Sequence, residues 1–130
     1  MSDVFERVKQ IISNQKTFGV GNLQVLCGTA PACLEGLPAP DRVFVGGGGR
    51  HLISILAAVR ERLAPDGRLL ISATLLASLQ TATDFIRARG GELEICQVQV
   101  SCSRPLAGSL YLQARNPVWI LSATFPEGTV

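Results

Sequence analysis

Pro40-Asp41-Arg42-Val43-Phe44-Val45-Gly46-Gly47-Gly48-Gly49 is the stretch that decides how this chain folds. Arg42–Val45 reads as a short buried strand. It runs into four consecutive glycines, and a helical pattern begins directly after them. A strand that opens through bare backbone into a helix N-terminus is where α/β proteins place ligands. Glycine reaches positive φ and lets a ligand approach the main chain closely. A tight strand-to-helix turn that binds nothing has the same sequence signature, and these residues alone leave both readings open.

Downstream, Leu52, Ile53, Ile55, Leu56, Val59 and Leu63 mark an amphipathic helix, closed by the turn Pro65-Asp66-Gly67. Arg68–Ala73 is the next strand. Leu75–Arg89 is a second helix, with Leu76, Leu79, Ala82, Phe85 and Ile86 inward, and Gly90-Gly91 stops it. Glu92–Val100 alternates as a strand with two different faces. Ser101–Gly108 reads as a polar loop, Leu110–Ala114 as a candidate strand, and Val118–Ala123 as a final apolar strand carrying Trp119. The tail from Pro126 is expected to fray.

Upstream, Val4–Glu6 reads as the end of a strand, and Arg7–Phe18 as a helix with Val8, Ile11, Ile12 and Phe18 at helical spacing. Gly19-Val20-Gly21-Asn22 breaks that helix, and Leu23–Cys27 is a short apolar strand. Gly28-Thr29-Ala30-Pro31 is a turn, with Pro31 opening a helical turn through Leu34. Strands alternating with helices predict an α/β fold with a mostly parallel sheet. The last two strands have no helix between them, so an antiparallel C-terminal pair at one end of the sheet is expected.

The 130 residues, 47% hydrophobic and 17% charged, suit a single domain and exclude a disordered chain. No apolar run is long enough to span a bilayer, so no membrane partner is expected. Asp3, Glu6, Arg7 and Lys9 interrupt any apolar signal core, which points to a cytoplasmic protein. The basic residues behind the net charge of +2 are scattered, and no nucleic-acid partner is expected. Cys27, Cys33, Cys96 and Cys102 form no CxxC pair and His51 is the sole histidine, so no metal site is expected.

Several motifs bear on chemistry. Gly19-Val20-Gly21 follows a helix and lacks a third glycine, so it is a helix stop and no dinucleotide fingerprint. Gly46–Gly49 lacks the lysine and hydroxyl residue of a phosphate loop. Glu6, at a strand tip, is placed either to accept both hydroxyls of a ribose or to sit solvated at the start of the next helix. His51 is a proton relay or a surface residue, and Arg50 a partner for a ligand carboxylate or a solvated side chain. Asp41 reads as a turn residue, and the cysteines as core.

Taken in order, Glu6-Arg7, Asn14, Phe18-Gly19-Val20, Asn22, Gly28-Thr29-Ala30-Pro31, Leu37-Pro38 and the Pro40–Gly49 run resemble the decarboxylating precorrin methyltransferases of the cobalamin pathway (CbiT type). Pro65-Asp66-Gly67-Arg68, Gln97–Ser103 and Asn116-Pro117-Val118 continue the likeness over nearly the whole chain. The resemblance implies a class I, Rossmann-like fold dependent on S-adenosylmethionine (SAM). It implies methylation of a precorrin tetrapyrrole at C-15, with loss of carbon dioxide from the ring C acetate. By that likeness Glu6 holds the ribose of SAM, and Gly28, Thr29 and Ala30 lie along the adenine. Gly46 faces the methyl donor, while Gly47, Gly48, Gly49 and Arg50 face the tetrapyrrole. The likeness names no general base, and it implies a homo-oligomer.

Two departures stand out. The family carries a first strand and a glycine-rich loop upstream of the Glu6 position, where this chain has five residues. The expectation is an N-terminally truncated domain whose sheet lacks a strand and exposes apolar faces. The family's Asn-Ala-Val-Thr-Leu-Glu is here Ser72-Ala73-Thr74-Leu75-Leu76-Ala77, without the amide and the carboxylate. Two other readings stay open: a non-catalytic module that pairs through open sheet edges, and a methyltransferase of the same fold with another substrate.

Overall fold

The computed structural model describes residues 2–47 and 49–126, so Met1, Gly48 and the last four residues lie outside the described part. The chain divides into two compact units, Met1–Leu37 and Pro38–Val130.

In the first unit, Ser2–Phe18 is one helix, α1. The strand end expected at Val4–Glu6 is therefore absent. Val4, Val8, Ile11 and Ile12 fall at i, i+4, i+7 and i+8, which is one stripe of a helix and no alternation. Gly19, at φ +64°, ends α1: Val20 N–H donates to the Gln15 carbonyl at 3.0 Å and Gly19 N–H to the Lys16 carbonyl at 3.3 Å. This is the paired bonding of a left-handed helix terminus, as the sequence predicts. The Gln15 side chain fastens the next few residues, donating to the Val20 and Leu23 carbonyls at 3.0 and 2.9 Å. Leu23–Cys27, expected as a strand, is irregular and pairs with no strand among the described residues. Pro31 caps a 3-10 turn over Ala32–Leu34, as expected. None of the described residues of this unit is buried.

The second unit holds the core. Its strands β1 (Arg42–Gly46), β2 (Arg68–Ala73), β3 (Glu92–Val98) and β6 (Val118–Thr124) form one sheet in the order β1-β2-β6-β3. β1 and β2 are parallel, and β6 runs antiparallel to both β2 and β3. Three strands thus point one way and the C-terminal strand the other, which is the mixed sheet expected. Its place differs: β6 lies between β2 and β3 instead of at an end. Its buried Leu121 and Ala123 need apolar neighbours on both sides, and the register supplies Ile71 and Leu69 from β2 and Ile95 and Leu93 from β3.

Helices α2 (Leu52–Arg62) and α3 (Leu76–Ala88) contribute Leu52, Leu56, Val59, Ala82, Phe85 and Ile86 to the buried core. They meet Val45, Leu69, Ile71, Ala73, Leu121 and Ala123 of the sheet. Ile53 and Leu76, read as inward, are 60% and 72% exposed. Ile53 is about 100° round the helix from Leu52 and so leaves the stripe, while Leu76 opens its helix before the packed turns. Phe44, in a strand read as buried, is 64% exposed, because alternation turns it away from Val43 and Val45.

The stretch read as a polar loop is a strand, β4 (Ser101–Leu106), paired with β5 (Ser109–Ala114) in a separate ribbon. Ala107 and Gly108 connect them at φ +50° and +76°. Positive φ at both central residues fits the strand twist of a two-residue hairpin. β5 therefore pairs with β4, and not with β6.

Candidate functional site

The carboxyl ends of β1, β2 and β3 share one edge of the sheet in the second unit, and β6 begins there. Parallel strand ends of this kind leave loops free to shape a ligand site. The β1 loop is built from backbone. Gly46 pairs with Ser72 of β2 as the last rung of the ladder. Gly47 follows at φ +74° and Gly49 at φ +52°, and an added Cβ at either would meet nothing within 4 Å. The two glycines therefore answer a conformational need and leave their backbone open to an approaching group. Gly48 lies outside the described residues.

Arg50 and His51 are exposed in a 3-10 turn over Gly49–His51 that leads into α2. His51 takes the N-cap position of α2 with no side-chain capping bond. Arg50 and His51 thus stand beside the open glycines. Asp41 precedes β1 and serves the turn before β2: its carbonyl accepts from Arg68 N–H at 3.0 Å. Leu75, at the N-cap of α3, is 64% exposed, and Leu76 follows it. Trp119, half-buried, pairs in register with Ala73 of β2 and Gln97 of β3.

The edge thus sets exposed apolar side chains beside bare glycine backbone, with the Phe44 ring 3.4 Å from where a Cβ on Gly46 would stand. Phe44, Leu75 and Leu76 belong to this edge and were not among the residues singled out from sequence, whereas Trp119 shares the face of buried Ala73 and packs against the core. The signal available was the loss of polar side chains between Ser72 and Ala77. Two clefts of this unit lie elsewhere: one of about 810 Å³ between α2 and α3, and one of about 290 Å³ by Arg68, Glu92 and Glu94.

The first unit places the other predicted residues. Glu6 lies within α1, where its carboxylate is 3.8 Å from the Lys9 ammonium and largely exposed. It is a helical surface acid in this structure and no strand tip. Gly28 is held by packing: an added Cβ would stand 2.7 Å from the Cβ of Cys33. The Thr29 carbonyl accepts from Cys33 N–H at 3.1 Å, and Ala30 is half-buried beside it. Gly28, Thr29 and Ala30 thus form one compact turn.

No group of three His, Cys, Asp or Glu among the described residues is placed to hold a metal ion. No described helix is long and apolar enough to cross a membrane. Cys27 and Cys96 are exposed and Cys33 and Cys102 half-buried, so none has the core position expected.

Three comparisons bear on this geometry. A Pyrobaculum aerophilum protein named "Probable cobalt-precorrin-6B C(15)-methyltransferase (decarboxylating)" is 36% identical over 111 residues, which cover 85% of this chain and 57% of that protein. The crystal structure of a precorrin-6y C5,15-methyltransferase from Geobacter metallireducens GS-15 superposes with a TM-score of 0.80 at 34% identity, covering 88% of this chain and 59% of that one. A SAM-dependent O-methyltransferase from Thermotoga maritima, 16% identical, superposes at 0.68 over 93% of this chain and 46% of its own, which speaks for the fold alone. The fold is that of the class I SAM-dependent methyltransferases. The chain spans somewhat under three fifths of the length of the first two relatives. The precorrin methyltransferase domain family matches residues 2–124, nearly the whole sequence, and the chain belongs to that family.

Proposed function

We propose that this protein transfers a methyl group from SAM to C-15 of a precorrin in cobalamin biosynthesis, with decarboxylation of the ring C acetate. The observation that carries the reading is the open glycine backbone at the carboxyl end of β1, in a chain of the precorrin methyltransferase domain family. The chemistry supplied with SAM is an electrophilic methyl group on a sulfonium.

The chain's own contribution is alignment, since holding donor and acceptor in line removes most of the entropic barrier. Gly46 is the position assigned to the methyl donor. Gly47 and Gly49 let a broad, flat ligand close on the main chain without a side chain between. Arg50 supplies a guanidinium that pairs a carboxylate in two parallel bonds. Phe44, Leu75 and Leu76 give exposed apolar surface against which a macrocycle face loses its water. In the first unit, Glu6 is assigned to the donor's ribose and the Gly28–Ala30 turn to its adenine. A cytoplasmic location follows from the same reading.

The test is methyl transfer from labelled SAM to a panel of acceptors that includes precorrins. Label in a precorrin with equimolar release of carbon dioxide supports the reading. Label only in an unrelated acceptor means another substrate on the same fold.

A second copy of the chain is the partner this reading adds. The β4–β5 ribbon carries Leu110 and Leu112 on one face, 68% and 74% exposed. A lone two-stranded hairpin is marginal in water, so an apolar ribbon face favours self-association. The same exposure suits the non-catalytic assembly module, and label transfer separates the two.

A further inference from the structure

The cleft between α2 and α3 lies on the helical layer of the second unit, away from the strand ends that carry the proposed chemistry. Ala57, Ala58 and Ala88 give it a small apolar lining, and Arg60, Glu61 and Arg89 also line it, in about 810 Å³ of open groove. The helices end on Arg60-Glu61-Arg62 and Arg87-Ala88-Arg89, so four of the chain's twelve basic residues gather at these two termini.

Basic residues in a last helical turn are ordinary complements of the helix dipole. Two features here go beyond that. First, both groove arginines are held against rings: the Arg60 guanidinium lies 4.4 Å from the Phe125 ring centroid and that of Arg89 3.6 Å from the Phe85 centroid. Arg89 also donates from Nη1 to the Phe85 carbonyl at 3.4 Å. A guanidinium stacked on a ring loses little further entropy when it binds a carboxylate. Second, among the described residues the charge of Arg60, Arg87 and Arg89 is not answered by an acid: they make no ion pair, and Glu61, the one acid lining the groove, pairs with none of them.

We propose that this groove docks an acidic segment of a partner protein, its carboxylates on Arg60 and Arg89 and its small apolar residues on the alanines. Charge complementarity selects the occupant, since a positive groove steers and retains a negative segment. The concave shape favours a peptide over a lipid surface, because a flat bilayer does not reach the alanine lining while the arginines engage it. The inference is independent of the methyl-transfer reading.

The test is fluorescence anisotropy of the whole chain with a labelled peptide of alternating glutamate and alanine, beside its glutamine-for-glutamate counterpart. Saturable binding of the glutamate peptide is expected, weakened about tenfold by Arg89→Gln and by Arg60→Gln, on the scale of one charge-assisted bond. Glu61→Gln is expected to tighten binding severalfold, a gain that a folding defect does not produce. Arg104→Gln, on the β4–β5 ribbon, should change nothing. Equal binding of the two peptides overturns the proposal, as does binding indifferent to Arg60, Arg89 and Glu61. Tighter capture of anionic vesicles through the same arginines overturns it in favour of a membrane.

Discussion

Gly47 and Gly49 combine positive φ with open space where a Cβ would stand, and this separates them from the packing glycines. At Gly67 an added Cβ would stand 2.6 Å from Leu63 Cγ and 2.7 Å from the Ala64 carbonyl oxygen. Substitution at the two kinds of site should therefore differ in kind. Gly47→Val meets a left-handed backbone cost of about 1–2 kcal/mol but no clash. It also puts a branched side chain into the space reserved for ligand. Methyl transfer by G47V is expected to fall at least about tenfold with a drop of a few degrees in melting temperature. Gly67→Ala forces its neighbours to move and should cost about 1–3 kcal/mol of stability, with the remaining folded protein as active as before. Parallel thermal melts and labelled-methyl assays read both. Wild-type activity in G47V would mean that the loop is only a turn.

Elements show where the sequence was legible. β2 begins and ends where the Arg68–Ala73 pattern does, and α2 and α3 keep their predicted stripes apart from Ile53 and Leu76, because each is decided by its own residues and by glycine or proline at its ends. The bare loop of the candidate site was equally readable, since four glycines in a row have few other uses. Pairing decided the rest. A three-residue segment such as Val4–Glu6 has no period of its own to read, and the helix that continues through it takes it over. The β4 strand was hidden by Pro105. In a two-residue hairpin Leu106 and Ser109 exchange the bonds next to the turn, so the 105 position turns its missing N–H outward and costs no ladder bond. Ala107 hid the turn as well, because asparagine or glycine is the usual residue at that φ. Ala107→Asn should accordingly stabilise the ribbon by about 0.5–1 kcal/mol, seen as a raised denaturant midpoint with an unchanged slope. The apolar part of the site was not legible for a related reason: Phe44, Leu75 and Leu76 share the edge only through the pairing of β1 with β2. A further prediction belongs to α1. No described residue of its unit is buried, so its amides should exchange hydrogen faster than those of β2 and β6, which hold Leu69, Ile71 and Leu121 at the centre of the core.

For the molecule as a whole, the core and the glycine shelf lie in the second unit, while the first presents an apolar helix with Phe5 and Phe18 at 62% and 77% exposed. Exposed apolar surface on α1 and on the β4–β5 ribbon makes association with a second copy the expected state. Leu112→Lys should shift the chain towards monomer in sedimentation with its melting temperature within a few degrees of wild type, since the side chain is outside the core. An unchanged sedimentation profile would remove the ribbon from the account. The central claim, that the chain binds a methyl donor for transfer to a precorrin, is tested most directly by calorimetric titration of S-adenosylhomocysteine into the purified 130-residue chain. The account predicts saturable one-to-one binding, weakened about tenfold in Glu6→Ala as the loss of a charge-assisted contact would require. A folded chain that gives no binding heat and no change in melting temperature with the ligand would contradict it.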